Sequence, residues 1–204
     1  MTIRAIFFDF GGVISRLDHG AIQKLEAEYS LPRNGLLKGL YGTPEWRKAE
    51  VGRGSEKAWY EAAERALAEM AGRAVPGVRE IAALIWTGID EEVVALAGRL
   101  RGRYRVGMLS NSTKRLEREL LPQNGVRESF DVVINSARVG VAKPDVRIYQ
   151  RAADSLKVEP AACVHIDDLE ANVQGAREAG FAGIHHRGDY AVLERELRAL
   201  GVDW

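Results

Sequence analysis

Apolar positions recur along this chain with two different periods. IRAIFF, residues 3–8, is a short run of mostly β-branched or aromatic side chains that stops abruptly at DFGG. A run of that length and makeup predicts a buried strand. From about residue 16 to 101 the spacing becomes helical. LDHGAIQKLEAEYSLP carries Leu17, Ile22, Leu25 and Tyr29 near one face and ends at Pro32. SEKAWYEAAERALAEMAG sets Trp59, Ala63, Leu67 and Met70 on one face, with Ser55 to cap it and Gly72 to end it. In DEEVVALAGRLRG, Asp90 caps, Glu91 and Glu92 favour the positive end of the helix dipole, and Gly102 closes. This whole region predicts helices and no strand.

After residue 102 the two periods alternate. Strands are predicted at 104–110, 131–134, 162–166 and 182–186. Helices are predicted at 112–122, stopped by Pro122, and at 144–156, 169–180 and 189–201. Such alternation predicts an α/β fold with a parallel, doubly wound, Rossmann-like sheet. The expected domains are an α/β core, residues 1–15 and 102–204, and an α-helical cap, residues 16–101, inserted after the first strand. Trp46, Trp59 and Trp86 belong either to the small core of that cap or to the face of a cleft, with packing the default for each.

Composition narrows the function classes. The 204 residues allow one domain with an insertion and a core that needs no staples. Lys and Arg total 29 against 29 Asp and Glu, so nothing in the charge balance points to nucleic acid or a membrane surface. Cys163 is the only cysteine, which excludes an internal disulfide and a multi-cysteine metal centre. With no signal-like opening and no apolar run of membrane length, a cytoplasmic monomer or homodimer is expected.

The polar residues at strand ends carry the chemistry. Asp9 follows the first strand, Ser110 and Asn111 the second, Lys143 the third, and Asp167 and Asp168 the fourth. Ligands of open α/β sheets bind outside the carboxyl ends of the strands, so these residues converge on one edge. One Asp or Ser at a strand end is usually a helix cap. Four such ends on one edge, with these residue types, are not explained that way. A carboxylate nucleophile, a hydroxyl and amide pair, a lysine and an acidic pair suit phosphoryl transfer, whose charged oxygens need a cation and donors around them. Asp167 and Asp168 repel each other unless a cation lies between them and Asp9, and Mg²⁺ suits carboxylates plus phosphate.

On these residues the chain resembles the haloacid dehalogenase-like superfamily over essentially its whole length. FFDFGGV resembles the first motif, with the acid nucleophile at Asp9; MLSNS the second, with Ser110; VAKPD the third, with Lys143; HIDDLEANVQGAREAG the fourth, with Asp167 and Asp168. The resemblance implies a Mg²⁺-dependent phosphatase of a small phosphorylated metabolite, working through an aspartyl-phosphate at Asp9. It implies metal ligands from Asp9, the backbone carbonyl of Gly11 and Asp168, with Asp167 supporting. Ser110 and Asn111 are expected to hold phosphoryl oxygens, Gly11 and Gly12 to let backbone approach the ligand, and Lys143 to balance charge. A receiver domain uses similar residues, but its acidic pair precedes the phosphorylated Asp, the reverse of the order here.

The first motif also departs from the family. Its phosphatases read Asp-x-Asp, where the second acid protonates the leaving oxygen and later activates water. Here that position is Gly11, which resembles a DxGxV subset that includes glucose-1-phosphate-type phosphatases. Three readings follow. One is a phosphatase that serves good leaving groups, such as sugar 1-phosphates, or takes its proton from the cap. Another is a metal-free 2-haloacid dehalogenase, disfavoured by Gly-Gly-Val and by an acidic pair with no job. The third is a phosphate-ligand binding protein that has lost turnover. Gly11→Asp is expected to restore the acid conservatively. His165 is taken as a core or edge histidine, and the adjacent His185 and His186 as structural, since neighbours on a strand face opposite ways. Asn172 either faces the site or holds a loop.

Overall fold

The computed structural model describes residues 2–204. β1 (Ala5–Phe8) is followed by β2 (Ser15–Leu17) and five helices: α1 (His19–Glu28), α2 (Gly35–Tyr41), α3 (Pro44–Ala49), α4 (Glu56–Ala71) and α5 (Val78–Leu84). The chain returns through β3 (Trp86–Ile89) and α6 (Glu91–Leu100). Strands and helices then alternate as β4 (Arg105–Ser110), α7 (Leu121–Asn124), β5 (Val132–Asn135), α8 (Ser136–Val139), α9 (Val146–Leu156), β6 (Cys163–Asp167), α10 (Glu170–Glu178), β7 (Ala182–His185) and α11 (Tyr190–Ala199).

Five strands make one sheet in the order β5-β4-β1-β6-β7, and every neighbouring pair is parallel. The uninterrupted apolar run of β1 follows from its central place, because both of its faces are covered. Ile6 and Phe8 point into one apolar cluster with α6, α11 and Met108; Ala5 and Phe7 point into the other, with α9 and Leu109. The result is the expected three-layer α/β core. Parallel pairing also brings the strand ends level: Phe8 stands beside Met108 and Ile166, and Ser110 beside Asn135. The next residues along the chain therefore emerge on one edge.

Helices α1, α2, α4 and α5 bury Ile22, Leu36, Leu40, Leu67, Ile81 and Ile85 in a cluster of their own. Trp46, Ala49 and Trp59 form a smaller aromatic cluster beside it. The N-caps anticipated at Ser55 and Asp90 are made, each side chain accepting from the backbone N–H three residues on.

Three expectations need correction. The inserted region holds two strands, not helices alone: β2 and β3 pair antiparallel as the ribbon joining the helical insertion to the sheet. Helix α6 does not pack with the insertion, since Val93, Leu96, Ala97 and Leu100 lie in the cluster under the sheet. Pro122 does not stop a helix. Leu116–Leu120 forms a π-helical turn, and Pro122 sits in the first turn of α7, where a missing N–H costs little. Among the described residues no helix is long and apolar enough to cross a membrane.

Candidate active site

Asp9 leaves the end of β1 with its N–H bonded to the carbonyl of Ile166 in β6 (2.9 Å), so the sheet itself fixes where its side chain starts. The residue is 7% exposed. Its Oδ1 accepts from the N–H of Phe10 (2.7 Å) and pairs with Nζ of Lys143 (2.9 Å). Lys143 reaches this point from the loop before α9. Its ammonium also donates to Oδ2 of Asp167 (2.5 Å) and to the carbonyl of Leu109 (2.9 Å), which uses its three N–H groups within the protein. Asp9, Asp167 and Asp168 each offer a carboxylate oxygen within 4.8 Å of the others.

The sequence names these residues for their chemistry; the structure adds what holds them. The side chain of Asn111 is occupied by backbone: its Nδ2 donates to the carbonyl of Lys143 (2.9 Å), and its Oδ1 accepts the N–H of Lys143 (2.8 Å). It therefore positions the lysine loop rather than pointing a free amide at a ligand. Ser110, at the end of β4, is 2% exposed. His165, taken from the sequence as a core or edge histidine, and Asn172, left open there, both belong to the support of Asp167. His165 Nε2 donates to its Oδ2 (2.9 Å), and Asn172 Nδ2 to its Oδ1 (3.0 Å). The signal for His165 is its place two residues before Asp167, hence on the same face of β6. His185 Nε2 donates to the carbonyl of Asp168 (2.9 Å), anchoring the other acid through its backbone.

Three acids around one buried ammonium leave the site short of positive charge. Burial pushes the Asp9 carboxyl up to about 8; Lys143 opposes this, and the charges of Asp167 and Asp168 add to it. Burial and the neighbouring charge of Asp167 raise Asp168 to about 6. Burial works on Asp167 too, but Lys143 and His165 outweigh it and hold its carboxyl well below the usual range. Lys143, pulled down by burial, is held above its ordinary value by Asp167 and Asp9. Burial lowers His165 below its ordinary value, with Asp167 opposing. This donor set, all oxygen and in excess over its one cation, fits a hard divalent ion such as Mg²⁺.

The glycines after Asp9 have different reasons. Gly12 has φ +76°, and a Cβ there would overlap the Asp168 carboxylate. Gly12→Ala is expected to cost about 1–2 kcal/mol in backbone strain and to displace Asp168. Urea melts with and without Mg²⁺ should show both a lower midpoint and a smaller stabilisation by the ion. Gly11 has no such backbone constraint. A Cβ on it would instead lie 3.1 Å from Cη2 of Trp86, tighter than an ordinary contact. Gly11→Asp therefore carries a packing cost beside its chemical gain: its Cβ would press on the indole edge, which must give by a few tenths of an ångström.

Trp86 is delivered by β3 and pairs in register with Leu17 of β2. Its Nε1 donates to Oη of Tyr41 in α2 (3.1 Å). Tyr41 packs edge-on against Trp46 (5.0 Å between ring centroids), and Trp59 stacks on Tyr60 (4.4 Å). Trp46 and Trp59 thus serve packing, as expected, while Trp86 faces the loop of Asp9. Arg115, from the loop after β4, donates to Oη of Tyr60 (3.4 Å), and Thr113 donates to Glu56 of α4 (2.8 Å), so the helical insertion is tied to the site loop by polar contacts.

A family model for haloacid dehalogenase-like hydrolases matches residues 3–180, and the chain belongs to that family. Among curated relatives, a phosphatase of Mycobacterium tuberculosis is 39% identical over 94 residues, covering 46% of this chain and 43% of its own. The chain thus spans under half the length of that relative. Among solved structures, an HAD-like family protein from Porphyromonas gingivalis superposes with a TM-score of 0.70 at 26% identity, covering 97% of this chain and 99% of that one. An HAD family enzyme from Bacteroides thetaiotaomicron, in an Asp-to-Ala variant with magnesium and inorganic phosphate, gives 0.68 at 22% identity over 94% of this chain and 98% of that one. The last likeness is one of fold.

Proposed function

We propose that this chain is a Mg²⁺-dependent phosphatase that hydrolyses a small phosphorylated metabolite through an aspartyl-phosphate at Asp9. The observation that carries the reading is the buried Asp9–Lys143–Asp167 arrangement with Asp168 alongside, two carboxylates sharing one ammonium and a third within 4.8 Å of both, at the carboxyl edge of the sheet. A relative named as a phosphatase supports it. Asp9, Asp168 and the backbone carbonyl of Gly11 would hold the metal, with Asp167 in support. When bound, Mg²⁺ supplies positive charge to the phosphoryl oxygens and to the crowded carboxylates.

The chain's own residues do the rest. Both donors to Asp9 fall on Oδ1, which leaves Oδ2 to attack phosphorus. Lys143 steadies that carboxylate and offsets charge as the phosphoryl group arrives. Ser110 Oγ and the backbone N–H groups after β4 receive phosphoryl oxygens, with Asn111 keeping the lysine loop in place. The insertion carrying Tyr41, Tyr60 and Trp86 acts as the cap that closes over the substrate and excludes water.

The test is phosphate release by the purified protein from sugar, nucleotide, acyl and aryl phosphates, with Mg²⁺ and again after chelation. Release that depends on Mg²⁺ is expected. Undiminished release after complete metal removal would refute the metal assignment. Phosphate binding with no release from any substrate would mark a binding protein instead.

A further inference from the structure

The missing acid of the first motif is not an empty space. The edge of the Trp86 indole, Cη2, Cζ3 and Cζ2, lies 3.1, 3.7 and 3.9 Å from the position a Gly11 Cβ would take. The ring is fixed at two points, by the β2–β3 ribbon through its backbone and by Tyr41 through its N–H. What it presents to the loop of Asp9 is therefore its carbon edge, which has no proton to give. Three other side chains nearby are poor proton sources. Lys143 spends its N–H groups on Asp9, Asp167 and Leu109. His165 lies behind Asp167, and burial keeps the Tyr41 hydroxyl up at about 12, where it receives the indole N–H.

We propose that the Gly11–Trp86 pair restricts this enzyme to activated phosphates. Their leaving oxygen departs as an anion delocalised into an adjoining flat π system, as in acyl and aryl phosphates, and that flat group lies against the indole. The proposal rests on the phosphatase reading and names its substrate class. In the first step Asp9 forms a bond to phosphorus while the bond to the leaving oxygen breaks, and the electron pair leaves on that oxygen with no proton required. In the second, water adds to phosphorus, the Asp9 carboxylate departs, and both water protons end on the released phosphate. A leaving group that needs protonation gets no help, and absence of a general acid costs such substrates ~10²–10⁴-fold.

The experiment measures kcat/KM with Mg²⁺ for acetyl phosphate, a series of aryl phosphates and an alkyl phosphate. The proteins are wild type, Gly11→Asp, Trp86→Ala and the double variant. Wild type should fall by about a thousandfold or more from the most activated aryl phosphate to the alkyl one. Gly11→Asp alone should gain less than the double variant, because its Cβ presses on the indole edge at 3.1 Å. The double variant should gain roughly ten- to a hundredfold on the alkyl phosphate and little on the activated aryl ester, flattening the dependence on leaving-group pKa. Trp86→Ala alone should keep the steep dependence and raise KM for aryl phosphates. Turnover by wild type with alkyl and aryl phosphates within tenfold overturns this proposal and leaves the phosphatase reading standing; so does a folded, active double variant with an unchanged slope. Release from none of the substrates overturns both. Should the double variant not fold, the wild-type slope decides.

Discussion

Asp9→Asn is expected to abolish phosphate release and, in metal-free buffer, to raise the melting temperature. The first effect follows from chemistry. An amide cannot form the acyl phosphate, and loss of a nucleophile costs on the order of 10⁴-fold or more. The second follows from charge. Asn keeps an oxygen at the position of Oδ1, so the Phe10 N–H and the Lys143 ammonium keep an acceptor. What disappears is a carboxylate whose proton burial retains up to about 8, against an ordinary 3.8. A folded pKa above the unfolded one favours folding while the group is protonated. That contribution is complete below 3.8 and is lost as pH rises through about 8. The wild type should therefore weaken relative to Asp9→Asn across this window. The check is a pair of thermal melts in chelator from about pH 4 to about pH 9, in which the gap opens with pH. A gap independent of pH would mean that Asp9 is not ionising at the expense of folding.

Much of this site is legible in the sequence because its chemistry sits at strand ends, and strand ends are punctuated. IRAIFF stops at Asp9, and CVHI stops at the acidic pair, each flagged by a change from apolar to charged at a fixed place in an alternating pattern. Lys143 comes with Pro144 in a loop between two such elements. What escaped has no such mark. β2 and β3 are only SRL and WTGI, too short for alternation to register, and they form because they find each other across the helical insertion. Helix α6 has an ordinary amphipathic pattern, which tells that a face is buried and not against what. Asn111 shows how a residue in a recognised motif can serve another: its amide holds the lysine loop. Trp86 is the sharpest case. Its relation to Gly11 spans 75 positions of chain and exists only because the β2–β3 ribbon folds the end of the insertion back over the start of the sheet. Sequence reading could see that an acid was missing; it could not see that an indole edge lies against that position.

The positive charge of Lys143 should matter to the fold as much as to the reaction. Its side chain is fully buried, and it holds Asp9 and Asp167 together at 2.9 and 2.5 Å. Lys143→Met keeps the length of the stem and removes the charge. Its loop should stay in place, because Asn111 grips the backbone of residue 143 through both N–H and carbonyl and does not depend on the side chain. The acids then face one another with no cation between them, and breaking a buried pair in this way costs about 3–5 kcal/mol. Three results are expected in urea melts. In chelator, Lys143→Met should be less stable by about that amount. Adding Mg²⁺ should recover more stability in the variant than in the wild type, since the ion is then the only cation among the carboxylates. Combining Lys143→Met with Asp9→Asn should cost less than the sum of the two single effects on charge balance, because one of the uncompensated acids is gone. Phosphate release should fall with the lysine even where Mg²⁺ restores the fold. A Lys143→Met protein as stable as the wild type in chelator would show that Asp9 and Asp167 simply take up protons there. In that case Lys143 organises charge for the reaction and not for the fold.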